Sequence, residues 1–326
     1  MRAIVYTAAG GPDVIAIRDV PAPTAGPGEL TVRVRAAGLN RADIYQRRGG
    51  YEAPPGWPPD IPGLEYAGQV ETVGPGATRW RPGDRVMGLV GGGAQAELVQ
   101  VREVEALPIP GNLGYAEAAA IPEVFYTAYD ALVTRGRLQA GERVLIHAVG
   151  SGVGTAAAQL AKHLGATVIG TSRSADKLAR ANAYGVDVGI DTSRTALQDG
   201  VGQPVNLVLD VLGGPALPDH VALLAPRGRL VILGLMAGRK AEIELDSLLH
   251  KRLEIIGSVM RSRGPEERAA LARELAERLV PLFESGDGKP VLRPVVDRTY
   301  PMEQIVEAHG AMERNENFGK LVIEIR

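Results

Sequence analysis

At 326 residues the chain is about twice the roughly 150 residues expected of one domain, so it has room for two cores and needs no disulfide staples. Its 36 Lys and Arg nearly balance 38 Asp and Glu, for a net charge of -2, so no field over the whole protein draws it to nucleic acid or an anionic membrane. Cysteine is absent, which excludes disulfides, thiolate nucleophiles and Cys-based zinc sites and leaves carboxylate, hydroxyl, His and cofactor chemistry.

The amino end, MRAIVYTAAGGPDV, lacks the apolar centre and cleavage site of a secretory signal, and no apolar run approaches the ~20 residues that cross a bilayer. A cytoplasmic protein without a membrane partner is the expectation. From Met1 to about Gln100, the runs AIVYTA, VIAIRDV, ELTVRVRAAG, EYAGQVETVG, DRVMGLV and AELVQV stand between Gly and Pro clusters and predict an all-β region of short strands. Pro82 and Gly83 occupy the second and third positions of a type II turn ahead of a strand that begins at Arg85.

After Ile121, strands alternate with helical stretches, the pattern of parallel strands joined by helices. RVLIHAV (143–149) reads as an apolar strand, GVGTAAAQLAKHLG (152–165) as a helix ending on Gly165, and ATVIGT (166–171) as the next strand. Ser174 caps a helix through Tyr184. VDVGI, VNLVLDV (205–211), GRLVILGL (228–235) and LEIIGSVM (253–260) bring the count to about six strands. Gly264-Pro265-Glu266-Glu267 then opens a helix with Leu271, Leu275 and Leu279 on one face. A final strand, LVIEIR, returns to β character and suggests that the carboxyl end rejoins the first domain.

The turn His147 to Gly154, HAVGSGVG, lies between a strand and a helix, where small residues let the backbone approach phosphate and the helix dipole favours an anion. It is not a strict GxGxxG, and such a turn can also serve close packing alone; the surrounding alternation favours a dinucleotide. At the end of the second strand, where an NAD site commonly places an acid, stands Ser172. Arg173 and Lys177 flank the place of a 2′-phosphate, which points to NADPH unless they are simply solvated charges at a helix start. The five His, at 147, 163, 220, 250 and 309, lack metal spacing and read as structural. Asp210 either anchors a loop near the cofactor or is an ordinary charged strand end. Tyr126 and Tyr129 read as core between domains.

PGLEYAGQVETVGPGATRWRPGDRVMGL (62–89), NRAD at Asn40 to Asp43 and IPEVFYTAYDAL (121–132) resemble the zinc-independent quinone oxidoreductases of the medium-chain dehydrogenase/reductase superfamily. Within that family GLMAGR (234–239), SVMRSR (258–263) and EAHGAMERNENFGK (307–320) resemble the tumour-suppressor-inducible NADPH:quinone oxidoreductase type. The resemblance runs nearly end to end. It implies an α/β fold in which a Rossmann domain (121–262), a doubly wound parallel sheet, is inserted into a GroES-like β domain made of 1–120 and 263–326, with NADPH in the cleft and a homodimer as the assembly.

By position, the resemblance gives Ser151, Gly152 and Val153 to the pyrophosphate and Ser172, Arg173 and Lys177 to the 2′-phosphate. Thr127, Gly234, Leu235, Met236, Met260, Arg261 and Asn317 go to the rest of the cofactor site. Asn40, Asp43 and Tyr51 would face the substrate, with Tyr51 the candidate quinone donor or else a rim aromatic packed on Pro54 and Pro55. Zinc-dependent relatives place Cys where Asn40 stands and His in the segment occupied by Leu64-Glu65, and they carry a four-Cys lobe that is missing here, so no metal is expected. The Tyr and Arg that many quinone oxidoreductases carry near Asp191 and Asn315 are also missing. The expected reaction is hydride transfer from NADPH to a quinone, with Tyr51, Asn40 or water stabilising the oxyanion. Reduction of an activated alkene (a conjugated carbonyl substrate), a non-enzymatic NADPH sensor and RNA binding are the alternatives, the last disfavoured by charge.

Overall fold

The computed structural model describes residues 1–284 and 290–326. The chain forms two compact units, one of Met1–Glu123 with Arg261–Arg326 and one of Val124–Met260. In chain order the strands are β1 (Arg2–Tyr6), β2 (Ile15–Asp19), β3 (Glu29–Leu39), β4 (Glu65–Val73), β5 (Arg85–Leu89), β6 (Leu98–Arg102) and β7 (Leu107–Pro108). They continue with β8 (Arg143–Ile146), β9 (Thr167–Ser172), β10 (Val188–Asp191), β11 (Val205–Asp210), β12 (Leu224–Ile232), β13 (Glu254–Gly257), β14 (Val296–Pro301) and β15 (Lys320–Glu324).

In the first unit a sheet runs β14-β15-β3-β4-β5-β7, with β6 also paired to β3, and β1 and β2 form a separate antiparallel pair. The final strand β15 lies between β14 and β3, with Leu321 opposite Leu39 and Ile323 opposite Ala37, so the carboxyl end does return to this sheet. Alternate residues of these strands, among them Val32, Val34, Tyr66, Leu321 and Ile323, form one apolar core. The turn before β5 is as expected: Gly83 has φ +94° and the Asp84 N–H donates to Arg81 O at 3.1 Å.

The all-β expectation for the first hundred residues needs correction at Pro12–Val14, a single 3-10 turn, and above all at Arg41–Arg47, which forms an α-helix. Asp43 reaches back to accept the Asn40 N–H at 2.7 Å, satisfying an orphan donor at the helix start. The Asn-x-x-Asp spacing that does this was visible in the NRAD motif. Strand β3, with eleven residues, is also longer than the short strands expected.

The second unit is built on six parallel strands in the order β10-β9-β8-β11-β12-β13. Val144, Leu145 and Ile146 on the central strand are essentially inaccessible, as a sheet covered on both faces requires. The expected strand 143–149 stops at Ile146, and Ala148 at φ +50° turns the chain toward the Gly152–His163 helix. That helix closes on Gly165 at φ +83°, the left-handed residue that follows its last turn. Because β9 and β10 lie on one side of β8 and β11 to β13 on the other, the strand order reverses beside the turn that follows β8. Open parallel sheets bind ligands at such a point, beyond the carboxyl ends of their strands.

Candidate functional site

In the second unit Ser151 is the N-cap of the Gly152–His163 helix, and its hydroxyl accepts the Gly154 N–H at 3.1 Å. A Cβ on Gly154 would lie 2.5 Å from Ala148 O and 2.6 Å from Val149 Cα, so only glycine lets the helix start this close to the preceding turn. Ser151, Gly152 and Val153 are half-buried around that start. Closely approached backbone, the Gly152 and Val153 N–H groups, which have no hydrogen-bond partner among the described residues, and a positive helix end form a cradle that fits a pyrophosphate.

Ser172 is the last residue of β9, and its Oγ accepts the Ser174 N–H at 3.1 Å; Ser174 in turn caps the Ala175–Ala181 helix by accepting the Lys177 N–H at 3.3 Å. Arg173 is exposed and has no ion pair among the described residues. The nearest acid in register is Asp191, opposite Ser172 on β10, but its carboxylate accepts from the Ser193 N–H and hydroxyl on its own loop. Gly234, Leu235 and Met236 follow β12, where the Met236 N–H donates to Val211 O at 3.2 Å and the Leu235 and Met236 side chains are 49% and 47% exposed. These three groups of residues therefore share the carboxyl edge of the parallel sheet. Thr127 is half-buried on the Pro122–Tyr129 helix, and Met260 is the last residue of this unit.

A buried polar group underlies the same edge. Asp210 Oδ1 accepts the Leu212 and Gly213 N–H groups at 2.7 and 3.0 Å, so it anchors the loop after β11. Its other oxygen lies 3.3 Å from His220 Nδ1, the His220 and His147 rings are 4.3 Å apart, and His147 Nδ1 is 3.0 Å from the Thr171 hydroxyl. Burial, reinforced by the neighbouring His220, pushes the His147 imidazole down to about 3, so it is neutral at pH 7. Two His that seemed unrelated in sequence thus meet in the fold.

In the first unit Asn40, Asp43 and Tyr51 belong to a larger polar cluster. Lys320 Nζ lies 2.6 Å from Glu65 Oε1 and donates to Asn40 Oδ1 at 2.6 Å and Leu39 O at 2.9 Å. Asn40 Nδ2 donates to Glu65 Oε1 at 2.9 Å, and the Glu123 N–H to Glu65 Oε2 at 2.8 Å. Asp43 accepts from the Asn40 and Gly63 N–H groups, yet its complete burial outweighs these bonds and raises its carboxyl to about 6.

Arg261, expected beside the cofactor, is engaged within this unit. It donates to Gly91 O at 2.9 Å, Tyr51 O at 2.8 Å and Gln46 Oε1 at 2.8 Å, and its guanidinium carbon lies 4.7 Å from the centre of the Tyr51 ring. Tyr51 is half-buried, and burial together with Glu123 and Asp43 raises its phenol to about 12 against the pull of Arg261, so it is a hydrogen-bond donor at neutral pH. Asn317 donates to Gly319 O at 2.7 Å. Sequence reasoning missed Lys320, Gln46 and Glu123 as members of this cluster. Glu123 had a usable signal, an acid directly after the Pro122 that opens a helix.

The family described as "Zinc-binding dehydrogenase" matches residues 152–277, and the "Alcohol dehydrogenase GroES-like domain" matches residues 26–111. The quinone oxidoreductase of Pseudomonas aeruginosa is 34% identical over 99% of both chains. The chain belongs to the medium-chain dehydrogenase/reductase superfamily. The human synaptic vesicle membrane protein VAT-1 homolog is also 34% identical, over 99% of this chain and 86% of its own. Among solved structures, the quinone oxidoreductase of Thermus thermophilus, described together with its NADPH complex, has a TM-score of 0.85 and 34% identity with both chains fully covered. The JamJ enoyl reductase has a TM-score of 0.87 and 25% identity, over 100% of this chain and 99% of its own. The two units are accordingly a GroES-like domain and a Rossmann domain, and the protein is an oxidoreductase of a superfamily whose members take nicotinamide cofactors.

The side chains present do not make the zinc site that the family description suggests. Asn40 and Glu65 already hold each other and the Lys320 ammonium, and among the described residues no three His, Cys, Asp or Glu are arranged to hold a metal ion. No helix among the described residues is long and apolar enough to cross a membrane.

Proposed function

We propose that the protein reduces quinones with NADPH by direct hydride transfer without a metal. Likeness to quinone oxidoreductases over the full length of the chain carries this reading. The choice of NADPH rests on the end of β9, where a hydroxyl and the exposed Arg173 stand where a carboxylate would repel a 2′-phosphate. When bound, the reduced nicotinamide supplies the hydride. Ser151, Gly152 and Val153 hold the pyrophosphate; Ser172, Arg173 and Lys177 hold the 2′-phosphate; Thr127, Gly234, Leu235, Met236, Met260 and Asn317 line the remainder. Asn40 and Asp43 shape the acceptor side, and the Tyr51 phenol donates a hydrogen bond to the acceptor oxygen as negative charge develops there. Arg261 serves by holding Tyr51 in place.

The likeness to an enoyl reductase favours one second reading, reduction of an activated alkene by the same hydride. Purified protein given NADPH or NADH with panels of quinones and alkenals, followed by nicotinamide absorbance, separates the two. Quinone-dependent loss of NADPH, much faster than of NADH, is the expected result. A preference for alkenals transfers the reading to double-bond reduction, and NADPH binding with no turnover transfers it to a sensor. The proposal includes a cytoplasmic homodimer, for which light scattering on the eluting protein should give twice the chain mass.

A further inference from the structure

Three carboxylates meet around the acceptor side of the first unit, and the structure treats them differently. Glu65 is bonded at both oxygens, by Lys320 and Asn40 at one and by the Glu123 N–H at the other. Asp43 is likewise bonded at both oxygens, by the Asn40 and Gly63 N–H groups. The Glu123 carboxyl has neither a hydrogen bond nor an ion pair among the described residues. Along the Pro122–Tyr129 helix every side chain is fully buried except Glu123 and Thr127, which are half-buried, four residues apart and so share one face.

We propose that Glu123 is the proton donor of this enzyme, giving its carboxyl proton to the oxyanion that hydride transfer leaves on the acceptor. The inference rests on the function proposed above. Once the acceptor has gained hydride with its electron pair, it is a singly protonated anion. The Glu123 O–H bond then breaks, an O–H bond forms on that anion to give the hydroquinone, and the resulting carboxylate recovers its proton from water. No further oxidant or reductant is needed.

The surroundings keep such a proton in place at neutral pH. Burial raises the Glu123 carboxyl to about 8, helped by Glu65 from β4 and Asp43 from the Arg41–Arg47 helix and opposed by Lys320 from β15 and by Arg261. Tyr51, which feels the charge of Glu123, is itself neutral there. A donor poised near the working pH combines a populated acid form with a usable driving force.

The test combines infrared titration of the cofactor-free protein with kinetics. A protonated carboxyl band should be present in wild type at pH 7, fade with a midpoint near 8 and be missing in Glu123→Gln. With quinone, Glu123→Gln should lower kcat at least tenfold with little change in the acceptor KM, and the decline of wild-type kcat above pH 8 should vanish. Glu123→Asp, which keeps the acid, should retain most of kcat and carries the test if the Gln variant fails to fold. Turnover and pH profile unchanged in Glu123→Gln, or wild type lacking the band at pH 7, would overturn the assignment while leaving the quinone reading intact. Failure of wild type to turn over any acceptor would overturn that reading, and the transfer step with it, whatever the band shows.

Discussion

The ammonium group of Lys320 lies 2.6 Å from Glu65 Oε1, with Lys320 4% and Glu65 0% exposed. The pair joins two strands separated in the sheet by β3, and Asn40 completes it. Removing one partner strands a buried charge, so Lys320→Met should cost roughly 3–5 kcal/mol. Adding Glu65→Gln to that variant should restore part of the loss. Urea denaturation of wild type, each single variant (Lys320→Met and Glu65→Gln) and the double variant measures the coupling.

Gly38 adjoins the same pair. An added Cβ would fall on Glu65 Oε1 and 2.7 Å from Ala119 O. Gly38→Ala should therefore destabilise the first unit by roughly 1–3 kcal/mol through forced displacement of packed atoms. Thermal unfolding should show a lower midpoint.

Arg261 holds the Tyr51 carbonyl, Gln46 and Gly91 at once. Lysine cannot reproduce a planar fork, so Arg261→Lys should speed hydrogen exchange around Tyr51 and raise the quinone KM several-fold. Unchanged exchange at residues 49–52 would show that the loop is held by other contacts.

Ser172→Asp places a carboxylate where the 2′-phosphate is proposed to lie. The expected result is at least a tenfold fall in kcat/KM for NADPH, equivalent to about 1.4 kcal/mol, with a smaller loss or a gain for NADH. Equal losses with both cofactors would remove Ser172 from 2′-phosphate recognition.

His147 and His309 are held down to about 3 by burial, from an ordinary value of 6.5. The unfolded chain therefore binds protons on these residues that the folded chain refuses. Their contribution to stability is complete above pH 6.5 and is lost progressively as pH falls toward 3. His147→Gln should flatten this part of a denaturation series run between pH 7 and 4, whatever it does to stability at pH 7.

Local chemistry alone determined the order of most strands and helices, the type II turn at Pro82-Gly83, the cap at Ser174, and the parallel character of the second unit. Each depends on neighbours a few residues apart, through alternation of apolar side chains, a required φ or an orphan N–H. The helix at Arg41–Arg47 was legible too, since Asn40 and Asp43 are three residues apart, but its brevity between β runs hid it. Only the tertiary structure decided which charges meet. Lys320 reaches Asn40 across 280 positions, Arg261 reaches Tyr51 across 210, and the His147 and His220 rings pack together from different elements. A group's protonation depends on burial and on charges that the fold delivers from far along the chain, so the acids at 43, 65 and 123 look alike in sequence and become chemically distinct once their neighbours arrive.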